Sequence, residues 1–373
     1  LFRSLIAMGG AQYVHTFDKC LFMPSDLTAG LEYNRDRLKD NMWGYDRHTD
    51  QTVNIYSAFL QNEWKNERWS ILVGGRLDKH NMVDNIIFSP RANLRFNPTQ
   101  NINLRLSYSS GFRAPQAFDE DMHIENVGGT VAMIERTKNL KEEKSQSFRA
   151  SADIYHRFGA FQTNFLIEGF YTKLTDVFVL GEPYNRGDGV LVKLRSNGPG
   201  AKVVGETLEG KLAYLSLLQV QAGLTLQRSR YDEPHKWHDD VPAKRTIFRT
   251  PNVYGYFTAT YIPIKPLSIA LSGTYTGSMF VQRMDITAEN AAMGDMPERK
   301  AEAVKTPKFL DLGVKLAYDF KLYKTVDLQL SGGVQNILEA YQKDFDRGAN
   351  RDSGYIYGPA LPRSFFAGVK ISY

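Results

Sequence analysis

The stretch SFFAGVKISY (364–373) decides the fold. Phe365, Ala367, Val369, Ile371 and Tyr373 fall on one side of it, and Phe366, Gly368, Lys370 and Ser372 on the other. A period of two is the signature of a β-strand. Chain ends are ordinarily polar and loosely held, whereas this one stays apolar on one side to its final aromatic. Such a strand needs a hydrogen-bonding neighbour along its length and an apolar medium over its outer side. A one-residue slip of register would turn Lys370 to that side, at roughly 2–4 kcal/mol if the medium is the middle of a bilayer.

The same alternation returns upstream. TVDLQLSGGVQ (325–335) sets Val326, Leu328, Leu330 and Val334 against Asp327, Gln329, Ser331 and Gln335. FLDLGVKLAYDF (309–320) sets Leu310, Leu312, Val314, Leu316, Tyr318 and Phe320 against Asp311, Gly313, Lys315 and Asp319. PLSIALSGTYTG (266–277) and NINLRLSYSSG (101–111) read the same way. These runs exceed the usual soluble strand of about five or six residues. They match the roughly 9–11 residues that a tilted strand needs to cross a bilayer. Reading the whole chain so gives about fifteen strands, at 10–18, 27–39, 51–65, 68–80, 86–97, 101–111, 145–157, 160–178, 201–214, 217–231, 249–262, 266–280, 307–320, 325–337 and 362–373. No stretch reads as a long amphipathic helix, and no linker divides the chain, so residues 1–373 read as one domain.

Composition agrees. The 373 residues are 42% hydrophobic and 23% charged, with 20 Tyr, 22 Phe and 4 Trp. No run approaches the roughly 18 apolar residues of a membrane helix, which leaves a membrane barrel open, since its strands average to neutral hydropathy. The net charge of +5 is spread among Asp and Glu, so no basic cluster points to nucleic acid. Cys20 stands alone, which excludes an intrachain disulfide and suggests a buried thiol. No signal peptide is visible.

The connections carry as much as the strands. KNER, NPTQ, RFGA, YLSL, PIKP and KLYKT are tight turns. Long polar segments at about 40–50, 112–144, 179–200, 232–248, 281–306 and 338–361 alternate with them, the one near 81–85 being moderate. Short turns at one end and long loops at the other are the plan of an outer-membrane barrel. Lipid then covers Phe365, Val369, Ile371 and Tyr373, and closure satisfies the strand edges.

Four stretches, in order, resemble the TonB-dependent outer-membrane receptors. They are YSSGFRAP (108–115), NLKEEKSQSFRASADIY (139–155), GVQNILEAYQKDF (333–345) and the closing PRSFFAGVKISY (362–373). Glu142 and Ile337 depart mildly from the common pattern. The resemblance implies a barrel of about 22 strands with a plug domain and a box that contacts TonB. The motifs of plug and box are not found here, so the chain reads as the last fifteen strands of such a barrel. A complete barrel of about 16 strands with one strand overlooked stays open. The resemblance also implies active, TonB-energised uptake of a large scarce nutrient, no enzymatic activity, no cofactor beyond the transported ligand, and a Gram-negative outer membrane. The barrel-assembly machinery would read the closing strand at Val369, Ile371 and Tyr373, and a surface lipoprotein could be a further partner. A passive porin and a surface adhesin are the alternatives.

No catalytic constellation stands out. Arg113 with Asp119, Glu120 and Asp121, and the aromatics Trp237, Tyr355 and Tyr357, are candidate ligand contacts on the long loops; Trp43 and Tyr45 are further exposed aromatics. His235, His238 and Asp239 in YDEPHKWHDD could hold a transition metal, their histidines standing three apart beside carboxylates. Met279, Met284, Met293 and Met296 could suit Cu(I) but read better as loop packing. With no dense basic patch in the loops, the expected ligand is cobalamin or a similar macrocycle ahead of an anionic ferric siderophore.

Overall fold

The computed structural model describes residues 2–43, 47–116, 132–181, 184–185, 191–286, 299–323, 325–347, 352 and 354–373. Its strands are β1 Phe2–Cys20, β2 Met23–Met42, β3 Arg47–Lys65, β4 Trp69–His80, β5 Ile87–Thr99, β6 Ile102–Arg113, β7 Ala132–Arg136, β8 Glu143–Phe158, β9 Phe161–Thr175, β10 Phe178–Leu180, β11 Tyr184–Asn185, β12 Leu191–Asn197, β13 Ala201–Tyr214, β14 Leu218–His235, β15 Lys244–Thr246, β16 Val253–Ile264, β17 Leu267–Thr276, β18 Phe280–Ile286, β19 Arg299–Lys305, β20 Phe309–Tyr323, β21 Val326–Gln335 and β22 Ser364–Ser372. No helix among the described residues is long and apolar enough to cross a membrane, which says nothing against crossing by strands.

One sheet of 16 strands takes the order β1-β2-β3-β4-β5-β6-β8-β9-β13-β14-β16-β17-β20-β21-β22, with β15 beside β14. Each of the fifteen strands expected from alternation lies in that order. The expectation fails instead in the loops. Residues 112–144 and 179–200 contain a second sheet, in which β12 pairs antiparallel with β10 and β11 and parallel with β7. Residues 281–306 contain the hairpin β18–β19. The expected loop 40–50 is mostly strand, since β2 and β3 stay paired as far as Met42↔Arg47. Beyond the apolar band a strand needs no alternation, and here cross-strand ion pairs such as Arg37–Asp50 at 3.2 Å line its outer part.

The residues form two compact units, one comprising 1–150, 170–203 and 230–245, the other 151–169, 204–229 and 246–373. In the second unit the register builds a continuous apolar row: Val220, Ala259, Leu271, Val314, Val334 and Phe365 are successive partners. Leu328↔Ile371 and Leu330↔Val369 extend the same face. Phe365, Val369 and Ile371 are 76, 68 and 65% exposed, so this face awaits an apolar medium. The opposite face carries the row Asp319, Gln329, Lys370, where Gln329 Nε2 donates to Asp319 Oδ1 at 2.8 Å. Lys370 and Ile371 thus lie on opposite sides, as alternation requires.

The first unit repeats the division. Leu31, Tyr56, Leu60, Val73, Leu77 and Phe88 are exposed on one face. The other is polar and networked: Arg76 pairs with Glu32 at 2.6 Å and Asp78 at 2.8 Å, and Ser57 Oγ donates to Asp78 at 2.6 Å. Aromatic rings gather beside the short turns in both units. Phe22 stacks on Trp64 and Trp69 on Phe96 in the first, while Phe158, Phe161 and Tyr214 form a chain in the second. In the RFGA turn Gly159 takes φ +58°, a conformation that side chains disfavour. Cys20 is half-buried rather than buried, and Trp64 Nε1 donates to its carbonyl.

Candidate functional site at the loop ends

In the second unit, residues 336–347 and 354–363 form a strap held by one asparagine at its root. Asn336 has φ +49°, which asparagine tolerates because its short amide bonds locally. Its Oδ1 accepts the Ala340 N–H at 2.8 Å and its Nδ2 donates to the Leu361 carbonyl at 2.9 Å, joining both ends of the strap. Gln342 continues the tie: its Nε2 donates to the Tyr355 carbonyl at 3.0 Å and its Oε1 accepts the Tyr357 N–H at 2.9 Å.

Asp344 is the centre. The Tyr355 hydroxyl donates to one carboxylate oxygen at 2.9 Å and the Tyr357 hydroxyl to the other at 2.5 Å. Burial pushes the Asp344 carboxyl up, but the two hydroxyls outweigh it and hold it below the ordinary value. Burial and the Asp344 bond raise Tyr355 to about 12, and the same causes raise Tyr357. Arg283 of β18 pairs with Asp346 at 2.9 Å and lies 5.1 Å from the Tyr355 ring centroid. Arg249 donates to the carbonyls of Ile356 and Gly354 at 2.7 and 2.5 Å. Tyr355 is only 2% exposed. A candidate ligand contact by sequence, Tyr355 is buried here as an internal tie, because Asp344 and Gln342 stand opposite.

In the first unit, the GFRAP turn closes a small platform. Ala114 packs with Val83 and Ile87 against Phe112. The Pro115 carbonyl accepts from Arg136 Nη1 at 2.7 Å, and the same nitrogen donates to Gln51 Oε1 at 3.2 Å. His80 is fully buried; its Nδ1 accepts the Met82 N–H at 3.0 Å and its Nε2 faces Gln116 Oε1 at 3.3 Å. Arg113 sits 5.7 Å from the Phe178 ring centroid. Asn197 ties the NLKEE approach to its neighbour: its Oδ1 accepts the Lys141 N–H and its Nδ2 donates to the carbonyls of Lys141 and Asp176. The proposed partners of Arg113, namely Asp119, Glu120 and Asp121, lie outside the described residues, as do Tyr45, Met293 and Met296.

The metal candidates do not converge. The His235 ring lies tilted against Tyr231 with centroids 5.3 Å apart, His238 Nδ1 lies 3.5 Å from Asp240, and Asp239 pairs with Lys236. Among the described residues no group of three or more His, Cys, Asp and Glu could hold a metal ion. Trp237 is half-buried beside His238, their ring centroids 5.7 Å apart. The sequence reading missed Asp344, Gln342, Arg283 and Arg249; the i, i+2 spacing of Gln342/Asp344 opposite that of Tyr355/Tyr357 is the one signal that could have found the first two.

Residues 8–337 match the family model described as TonB dependent receptor-like, beta-barrel. The chain belongs to this family. The apolar face of the sheet is accordingly the lipid face, and the receptor resides in the outer membrane of a Gram-negative bacterium. No curated protein matches the sequence. Among solved structures, it is similar to the siderophore receptor PirA from Acinetobacter baumannii, with 16% identity, a TM-score of 0.69, and coverage of 100% of this chain and 55% of that one. It is also similar to a mutant of the ferric enterobactin receptor PfeA from Pseudomonas aeruginosa (18%, 0.66, 100% and 54%). A third is the ferric-catecholate import receptor Fiu from E. coli K12 (15%, 0.68, 100% and 55%). These likenesses show a shared fold, and the chain spans about half the length of each neighbour.

Proposed function

We propose that residues 1–373 form the barrel wall of a receptor that takes up a ferric siderophore across the outer membrane, energised by TonB. The observation that carries the ligand class is the naming of the solved structures that share the fold: PirA, PfeA and Fiu are named for siderophores, ferric enterobactin and ferric catecholates. The loop composition alone had favoured a near-neutral corrinoid, and none of those three is named for one. A passive porin would have no use for the family's energised design, and the binding work described needs no catalytic group.

The test is calorimetry on the intact receptor in detergent, with a ferric catecholate and with cyanocobalamin. The expected result is binding of the ferric catecholate alone. Binding of cyanocobalamin alone would overturn the ligand class. Uptake that persists in cells lacking TonB would overturn the energised mechanism.

A further inference from the structure

One titratable group of the first unit is sealed from water at the loop end. His80 closes β4 and is fully buried. Its Nδ1 accepts the Met82 N–H at 3.0 Å, so that nitrogen carries no proton. The ring is then neutral, and its proton sits on Nε2, which donates to Gln116 Oε1 at 3.3 Å. The His80 carbonyl accepts the Val83 N–H at 3.1 Å. Asn81 ties the same turn to β3, its Oδ1 accepting the Asn54 N–H and its Nδ2 donating to the Thr52 carbonyl. The turn presents Val83, which packs with Ile87 and Ala114 against Phe112. Arg136 of β7 binds that platform: Nη1 donates to the Pro115 carbonyl and to Gln51, and lies 4.0 Å from Met82 Sδ. β7 pairs in turn with β12. The ring therefore touches both the turn and the GFRAP end of the platform to which the loop sheet is tied.

The charged groups around it are already engaged. Asp78 of β4 takes Arg76 and the Ser57 hydroxyl, and Lys79 donates to the carbonyls of Val83 and Asp84. The Asp84 residue is exposed on the turn, and Ile55 of β3 stands directly opposite His80. Among the described residues, no carboxylate bonds to the ring.

We infer that His80 is a proton-operated latch: neutral, it fixes the turn and the GFRAP platform that holds β7, and protonated, it releases them. An added proton can go only to Nδ1, where it meets the Met82 N–H and sets two donors against each other. It also places a charge in a fully buried site with no carboxylate bonded to the ring. Both costs disappear when the turn opens and the ring reaches water. Burial holds the ring below the ordinary histidine range, against the smaller pulls of Gln116 and Asp78. The closed form therefore takes its proton at lower pH than the open one. The latch is firm above about pH 6.5 and loosens as pH falls below it. It depends on neither the siderophore nor TonB.

Hydrogen exchange of the intact receptor in detergent tests it, read at about pH 7.5 and about pH 5.5 on either side of the free histidine value and corrected for the intrinsic rate of each amide. Opening at Met82 and Val83, and at Ile134, Glu135 and Arg136 of β7, should rise about tenfold at the lower pH, the response to one proton. Leu60 and Val73, in the middle of β3 and β4, should stay as protected. In His80→Asn the side-chain oxygen can still accept the Met82 N–H, as asparagine does in turns, but it cannot titrate, so the tenfold change should vanish. Val83→Ala, which loosens the platform and keeps the ring, should raise opening at both pH values and keep the tenfold ratio. Equal opening of the unaltered receptor at the two pH values would overturn the inference without any variant. So would a tenfold change that survives in His80→Asn, or one confined to the turn with β7 unmoved.

Discussion

Two loop-end stretches of this receptor contain the same kinds of residue and come to opposite ends. Residues 336–363 and residues 231–240 both mix carboxylates with aromatics. In the strap, Asp344 receives two tyrosine hydroxyls, and Gln342 ties the backbone that carries them. In 231–240 the carboxylates go to separate partners: Asp232 to Lys202 of β13, Asp239 to Lys236 and Asp240 to His238. The difference lies in backbone geometry. Two stretches with matching i, i+2 spacing can face each other and share one carboxylate, whereas the carboxylates of 231–240 are divided among separate cations. Residue types in a loop therefore name no site until their partners are known.

Removing the centre of the strap should have the largest effect. Asp344→Ala leaves two hydroxyls without their acceptor, one of them buried, and should cost about 2 kcal/mol of local stability. Hydrogen exchange at Tyr355 and Tyr357 should rise while β21 and β22 keep their protection; unchanged exchange would make the strap and 231–240 alike after all.

pH should open the strap from both sides. Asp344 has its folded pKa lowered, so its contribution is present above the unfolded value of about 4 and is lost as pH falls through the folded one. Tyr355 has its folded pKa raised to about 12. Its contribution is full below the unfolded value of about 10 and is lost as pH rises to about 12. Protection at Tyr355 should thus be flat from about pH 5 to 10. Tyrosine absorbance should show this group ionising late, and ionisation with the bulk tyrosines would contradict the tie.

Arg283→Met should cost less, about 1 kcal/mol, since it removes one partly exposed ion pair and the cation beside Tyr355. Smallest of all, His235→Ala with His238→Ala should change stability by less than about 0.5 kcal/mol. Added zinc should leave the melting temperature where it was, while a rise of several degrees that the double variant abolishes would restore the metal reading of 231–240.

The strands were legible and the loops were not, for one physical reason. A membrane strand must show lipid one face and water or protein the other, so Leu328 against Asp327 or Ile371 against Lys370 reveals it residue by residue. A loop has no medium to obey. LVKLRSN and AMIER pair in parallel as β12 and β7 although they are far apart in sequence, and nothing in either stretch announces the other. The same holds for Arg95 and Arg105, each an unremarked cation until a turn brings them face to face. GFRAP is an intermediate case: its residues are recognisable, but their work, packing Ala114 on Val83 and Ile87 and offering the Pro115 carbonyl to Arg136, appears only in three dimensions.

The most direct test of the account is which side of the sheet the lipid touches. In a Cys20→Ser background, single cysteines at 365–372 would carry a spin label, and collision with oxygen, which concentrates in lipid, would be compared with collision by a water-soluble nickel chelate. The account predicts a period of two: oxygen dominates at Phe365, Val369 and Ile371, and the chelate at Phe366, Lys370 and Ser372. Equal oxygen access at Lys370 and Ile371, or no periodicity along the strand, would contradict it.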